Sequence, residues 1–308
     1  MDGASEPGLT SIVVVAADSG PLLGACIESV LASDARIEVV LVDNRSIDGT
    51  IEQVEEKHAG ESRLRVLRNG ANLGFGPACN RGAAIAGGDL LMFLNPDCRL
   101  ATDAVSSLRA HLASSMRIGL LGVCVLDADG APARGNRRRD PTLRRVLATT
   151  SRLDRWQSRW PALAGVEMPT DKAGARPAVE DVEAVSGACM LLPRDAFDRV
   201  EGFDEGYFLH VEDLDLCRRV RDAGLRVAIA NDVHVVHVQG SSSRHRPFFV
   251  ARHKWRGMWR YFLKFDPASR NPLLRAVTRA ALCLYAVSAC IGIAVAIARG
   301  KLVARARG

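Results

Sequence analysis

Aromatic residues are scarce in this 308-residue sequence, at 5%. No internal repeat or low-complexity tract is found. With 48% hydrophobic and 25% charged residues, the chain lies outside the disordered, collagenous and low-complexity classes. Its eight cysteines include no C-x-x-C pair, which speaks against a zinc ribbon or a thioredoxin-like site. Buried free thiols in a reducing compartment are expected instead. After the first apolar run the chain reads Ala16-Ala17-Asp18-Ser19-Gly20, with one glycine where a dinucleotide site needs G-x-G-x-x-G. A P-loop is also missing, so nicotinamide chemistry and P-loop nucleotide hydrolysis are disfavoured. Residues 1–10 lack the basic-then-apolar pattern of a secretory signal, and the bulk of the chain is expected in the cytosol.

Acidic residues are nearly absent from the end of the chain. From Arg244 onward there are 14 Lys/Arg against Asp266 alone, a net +13, which leaves 27 bases and 34 acids upstream, a net −7. An acidic body with a basic tail implies a polyanionic partner, membrane or nucleic acid. The uncharged run 280–298 argues for membrane and against nucleic acid.

The first 125 residues alternate short β-branched runs (11–16, 38–42, 64–67, 89–94, 118–126) with helical spacing (21–32, 49–57, 77–86, 101–113). Apolar strands separated by crossover-length helices predict an α/β fold whose mostly parallel sheet is covered on both faces. Residues 131–180 are rich in Arg and Pro and read as a long excursion with some helix over 143–160. Order returns at 182–192, followed by a helix from about 214 and a strand pair over 226–238. Ligands of such sheets lie beyond the carboxyl ends of the strands. Those ends carry Ala17-Asp18, Asp43-Asn44-Arg45-Ser46, 69–74 and Asn95-Pro96-Asp97.

Asp43 can accept from a nucleobase N–H or a ribose hydroxyl, whereas Ser46 and Asp48 serve equally well as helix caps. Asp97 can enter the shell of a hard cation set against a diphosphate, or simply end a proline turn. Asp127-Ala-Asp129-Gly130 imitates a metal motif but has turn chemistry. Glu212, Asp213 and Asp215 open an amphipathic helix, where the dipole favours them, and Asp213 there could take a proton from a hydroxyl. His234 and His237 lie three apart in an extended run, so at most one of them faces the site.

In order, these motifs resemble family 2 glycosyltransferases of the GT-A fold, in the rhamnosyltransferase-like branch of bacterial cell-envelope polysaccharide synthesis. The resemblance rests on Val42-Asp43-Asn44-x-Ser46-x-Asp48-Gly49-Thr50, Asn69-x-x-Asn72-Leu73-Gly74-Phe75-Gly76 with Asn80-x-Gly82, and Leu94-Asn95-Pro96-Asp97. It continues through Ser186-Gly187-Ala188, Gly202-Phe203-Asp204-Glu205, Glu212-Asp213-x-Asp215-x-x-x-Arg219 and His237-x-x-Gly240-x-Ser242, spanning about 10–265.

The resemblance implies inverting transfer from a nucleotide-diphosphate sugar without a covalent intermediate. Asp43 would contact the base, and Ala16, Asp18, Asn44, Ser46, Asn72, Gly74, Asn95 and Gly187 would complete the nucleotide-sugar site. Asp97 and His237 would hold Mg²⁺ or Mn²⁺, with His237 alternatively on the diphosphate. Asp213 would be the general base, and Glu212 would shape the acceptor side. The implied donor is dTDP-L-rhamnose, ahead of UDP-hexoses and UDP-N-acetylhexosamines, and the implied acceptor is a polyprenyl-diphosphate-linked or other glycan. A non-catalytic nucleotide-sugar-binding protein is the alternative. The sequence departs from the family in Ala17-Asp18, where an aromatic-Asn pair is usual, in Arg45 for a small residue, and in Asn95 for the first Asp of a D-x-D.

Two domains are expected: a catalytic domain over 1–245, with a nucleotide-sugar half at 10–125 and an acceptor half at 180–245, and membrane-associating helices over 246–308. Residues 248–265 interleave bases and aromatics as interfacial helices do, and 280–298 has the length of a membrane span. The expected location is the cytoplasmic face of the bacterial inner membrane, held peripherally or by one C-terminal span.

Overall fold

The computed structural model describes residues 5–115, 117–168, 176–238 and 247–305. Strands and helices alternate as β1 (Glu6–Ala16), α1 (Leu22–Leu31), β2 (Ile37–Asp43), α2 (Thr50–Lys57), β3 (Leu64–Arg68), α3 (Phe75–Ile85) and β4 (Gly88–Leu94). Short β5 (Cys98–Leu100), α4 (Ala104–Ser114) and β6 (Ile118–Leu126) follow. The excursion holds β7 (Arg137–Arg138) and α5 (Leu143–Thr150). Then come β8 (Val179–Asp181), β9 (Ala184–Val185), β10 (Cys189–Pro193), α6 (Arg194–Arg199), α7 (Glu212–Asp222) and β11 (Arg226–His237). Helices α8 (Pro247–Phe265) and α9 (Pro272–Arg305) close the chain.

The nine-stranded sheet runs β3-β2-β1-β4-β10-β6-β11-β5, with β8 on β11. Strands β3, β2, β1, β4, β6 and β11 share one direction, and β10, β5 and β8 oppose it. The run Ile12-Val13-Val14-Val15 is continuously apolar because both faces are covered. Ile12 and Val14 pack under α1 and α4, while Val13 and Val15 pack under α3, α6 and α7. Gly82 lets α3 lie flat on the sheet, since a Cβ there would sit 2.5 Å from Val13 Cγ1 and 2.9 Å from Val42 Cγ2.

Two expectations need correction. The strand pair over 226–238 is one strand. At Asn231-Asp232 the chain bulges instead of turning, because the Asn231 N–H donates to Ala178 O (2.7 Å) and its amide to Pro177 O (2.8 Å). The helix over 143–160 stops at Thr150, because Arg152 is left-handed (φ +58°), and only 3₁₀ turns follow at Leu153–Trp156 and Pro161–Leu163. Asp127–Gly130 is the turn expected, with Asp127 Oδ1 accepting from the N–H of Asp129 (3.1 Å) and Ala131 (2.9 Å). Six cysteines are buried, while Cys283 on α9 is exposed and Cys290 half-buried.

The expected boundary at 245/246 and the Gly240-x-Ser242 motif lie outside the described residues. Beyond that boundary, α8 packs on the body. Tyr261 and Phe262 are buried, Arg260 Nη2 and Lys264 Nζ each reach Asp204 at 2.7 Å, and Lys264 also reaches the fully buried Asp215 (2.7 Å).

Candidate active site

At the carboxyl end of β2, Asp43 is nearly buried. Its Oδ1 accepts the Ser46 N–H (2.7 Å), and its Oδ2 lies 3.5 Å from the Arg68 guanidinium. Ser46 Oγ accepts the Asp18 N–H (3.2 Å) and Asp18 Oδ1 accepts the Ile47 N–H (2.8 Å), so the ends of β1 and β2 are stitched together. Ala16 O accepts the Asn44 N–H (2.8 Å). The buried Asn44 side chain is fully engaged: Oδ1 accepts from Asn69 and the Leu73 N–H, and Nδ2 donates to Asn72 Oδ1 (2.9 Å) and Gly74 O (3.1 Å). It therefore shapes the 69–74 loop and has no free amide hydrogen to offer a ligand. Gly74 has φ +91°, and a Cβ there would collide with the Phe208 backbone, so this position takes only glycine.

The loop after β4 brings Asp97 to His237 at the end of β11, with Oδ1 2.9 Å from Nε2. Asn95 Nδ2 lies 3.5 Å from the same ring nitrogen. His234 points to the opposite side and is exposed, as the alternation requires. Asp97, Cys98 and His237 offer ligand atoms within 4.8 Å of one another. The Cys98 thiol, however, is turned to Ala188 O, and burial pushes its pKa well up. A carboxylate and an imidazole converging on one point suit Mn²⁺, or Mg²⁺ completed by substrate oxygens.

On the other side of β10, Asp213 opens α7. Its Oδ2 accepts the Gly187 N–H (3.1 Å) and the Arg138 guanidinium, and its Oδ1 accepts the N–H of Leu214 (2.8 Å). Burial would raise this carboxyl, but Arg138 and the backbone donors outweigh it and hold its pKa below the ordinary value. Glu212 goes the other way. Burial, followed by the Asp213 charge, pushes it well above the carboxylate range, and its Oε2 has no hydrogen-bond partner among the described residues. The turn that presents both is strained: His210 (φ +67°) and β-branched Val211 (φ +76°) are left-handed in succession. Helix α8 braces that turn, with Gly257 against His210 O and Val211, and Phe249 and His253 against Phe208.

The dipeptide Gly187-Ala188 joins the two sides. Gly187 N–H holds Asp213, and Ala188 O accepts the Asn95 N–H (2.9 Å) beside Asp97. A Cβ at Gly187 would stand 3.1 Å from Asp213 Cβ.

The profile described as Glycosyl transferase family 2 matches residues 11–200. The chain belongs to this family. The match starts at the second half of β1 and takes in the carboxyl ends of β1, β2, β3 and β4, with Asp18, Asp43, Asn72 and Asn95. This glycosyltransferase is 29% identical, over 85% of its length and 92% of the relative's, to an N-acetylglucosaminyl-diphospho-decaprenol L-rhamnosyltransferase of Mycobacterium tuberculosis. It is 24% identical to a rhamnosyltransferase of Escherichia coli (strain K12), over 79% of this chain and 88% of that one. Its fold matches a Pyrobaculum calidifontis mannosyltransferase solved with GDP-Man and Mn²⁺, at TM-score 0.57 and 18% identity over 96% of this chain and 79% of that one. The GT-A architecture is therefore established, and the enzyme is a glycosyltransferase.

Arg138 is the site residue that sequence reasoning did not assign. Its only signal is the arginine-rich stretch 134–145, in which nothing distinguishes it from Arg137 or Arg139.

Proposed function

We propose that this glycosyltransferase moves L-rhamnose from dTDP-L-rhamnose, with inversion, onto a sugar hydroxyl of a polyprenyl-diphosphate-linked acceptor at the cytoplasmic face of the bacterial inner membrane. The mycobacterial relative's name supports both the sugar and the lipid-linked acceptor. The observation that carries the chemistry is the pairing of an ionised Asp213 with the Asp97–His237 pair across Gly187-Ala188.

Asp213 takes the proton of the acceptor hydroxyl as its oxygen attacks the anomeric carbon. The bond from that carbon to the diphosphate breaks, and the nucleoside diphosphate leaves with the electron pair. Asp213 is suited to this because it is charged at neutral pH, whereas Glu212 holds its proton and shapes the acceptor side. Asp97 and His237 would hold the divalent ion. When bound, that ion neutralises charge gathering on the diphosphate. Asp43 faces the base, with Ala16, Asp18, Ser46, Asn72 and Gly74 walling the nucleotide and Asn95 bordering the diphosphate.

Helix α9 supports the membrane location, since Pro272–Val295 is long and apolar enough to cross a bilayer and almost none of it is buried in the protein. A thermal-shift screen of nucleotide sugars with Mn²⁺ tests the donor, because bound ligand stabilises by mass action. The largest shift is expected with dTDP-L-rhamnose; a larger shift with a UDP-sugar would reassign it.

A further inference from the structure

The excursion 143–163 carries large apolar side chains that stand exposed among the described residues. Trp156 and Trp160 are 59% and 58% exposed, and Leu147 and Leu153 are 53% and 46% exposed. Leu153 and Trp156 open and close one 3₁₀ turn, and Trp160 follows four residues on. Arginines 144, 152, 155 and 159 lie among them, against one acid, Asp154, while Arg145 is turned inward and paired with Glu183. The segment is a built hairpin. Arg139 grips it from beneath through Gln157 Oε1 (3.1 Å), Gly165 O (3.2 Å) and Glu167 O (3.3 Å), and Thr149 Oγ1 accepts the Val166 N–H (3.0 Å).

We propose that this hairpin is a second lipid-contacting surface, which seats Trp156 and Trp160 in the headgroup region of an anionic bilayer. The proposal rests on the membrane location given above but concerns a different part of the chain. Trp at the boundary of apolar and polar media, ringed by arginines, is the composition of an interfacial segment. Each arginine near an anionic surface adds about 1 kcal/mol of attraction.

The hairpin is also continuous with the apolar C-terminal helix. The Leu143 N–H at the start of α5 donates to Asp266 Oδ2 (2.6 Å) in the turn between α8 and α9, and α9 begins with exposed Leu273 and Leu274. Charge argues against a second copy as the occupant, because a two-fold contact would set one arginine-rich hairpin against another. A bilayer met at two places fixes the tilt of the catalytic body as well as its distance. Arg138, which holds Asp213, directly precedes the Arg139 that grips the hairpin.

The test uses the full chain with Trp160, Trp255 and Trp259 replaced by Phe, so that Trp156 alone reports. It is mixed with vesicles of phosphatidylglycerol and phosphatidylethanolamine that contain lipids brominated at shallow or deep acyl carbons. The expected result is co-sedimentation with strong quenching by shallow bromines and weaker quenching by deep ones. Co-sedimentation without quenching would overturn the hairpin contact and leave the membrane location standing. Failure to sediment would overturn both. A Trp156 blue shift that grows with protein concentration and ignores vesicles would make a second copy the occupant, which also overturns the proposal. In the otherwise natural chain, the double variant Trp156→Ser/Trp160→Ser should raise KM for lipid-linked acceptor several-fold, since both interfacial aromatic anchors are lost. Donor binding should be unchanged. An unaltered KM would contradict the role.

Discussion

Asp213 and Arg138 form a largely buried ion pair, and that pair favours the charged form of Asp213. With Arg138 and two backbone N–H groups on it, Asp213 stays ionised, and its negative charge helps keep the neighbouring Glu212 protonated. A general base must be unprotonated before the acceptor arrives, which is why we propose Asp213 for that role.

Replacing Arg138 by Ala removes the group that depresses Asp213 and leaves burial to raise it. The acid limb of the pH profile of kcat/KM should therefore move to higher pH, with the fold intact by circular dichroism. An acid limb that stays in place would mean that Arg138 does not tune the base.

Glu212 carries a raised pKa in the folded state, so its contribution to stability is present below the ordinary glutamate pKa and is lost as pH rises towards the folded value. Glu212→Gln, which cannot ionise, should match the natural chain near pH 4 and exceed it in Tm by a few degrees at alkaline pH, where one pKa unit corresponds to about 1.4 kcal/mol. Parallel Tm-against-pH curves for the two proteins would contradict this.

Chelation should abolish transfer if Asp97 and His237 hold a divalent ion. Asp97→Ala should weaken Mn²⁺-dependent donor binding, and isothermal titration with and without metal reads this directly. Full activity in excess chelator would shift leaving-group stabilisation to cationic side chains of the 134–145 stretch.

The parallel half of the sheet was legible because strands buried on both faces are unbroken apolar runs, as in Ile12-Val13-Val14-Val15 and Val39-Val40-Leu41-Val42. The runs ending at Val42 and Leu94 are followed by polar residues at the carboxyl ends of β2 and β4, so Asp43 and Asp97 could be placed by counting strands. Alternation set His234 and His237 on opposite faces, and the family resemblance, not the period, pointed to His237. What periodicity cannot carry is contact across long separations. Arg138 meets Asp213 75 residues away, and Tyr261 donates to the buried Asp140 at 3.0 Å across 121 residues, a bond that ties α8 into the excursion. Residues 248–265 have the pattern of a free interfacial helix, yet Gly257, Tyr261 and Phe262 are buried against the body. In such a helix, small and aromatic residues serve packing and lipid contact alike.

The proton acceptance assigned to an ionised Asp213 is tested most directly by transfer of rhamnose from radiolabelled dTDP-L-rhamnose to polyprenyl-diphospho-N-acetylglucosamine by the natural chain and by Asp213→Asn. Product of inverted configuration is expected from the natural chain, with a loss of roughly 10²–10⁴-fold in kcat for the amide variant and donor affinity retained. Near-normal turnover by Asp213→Asn would contradict it.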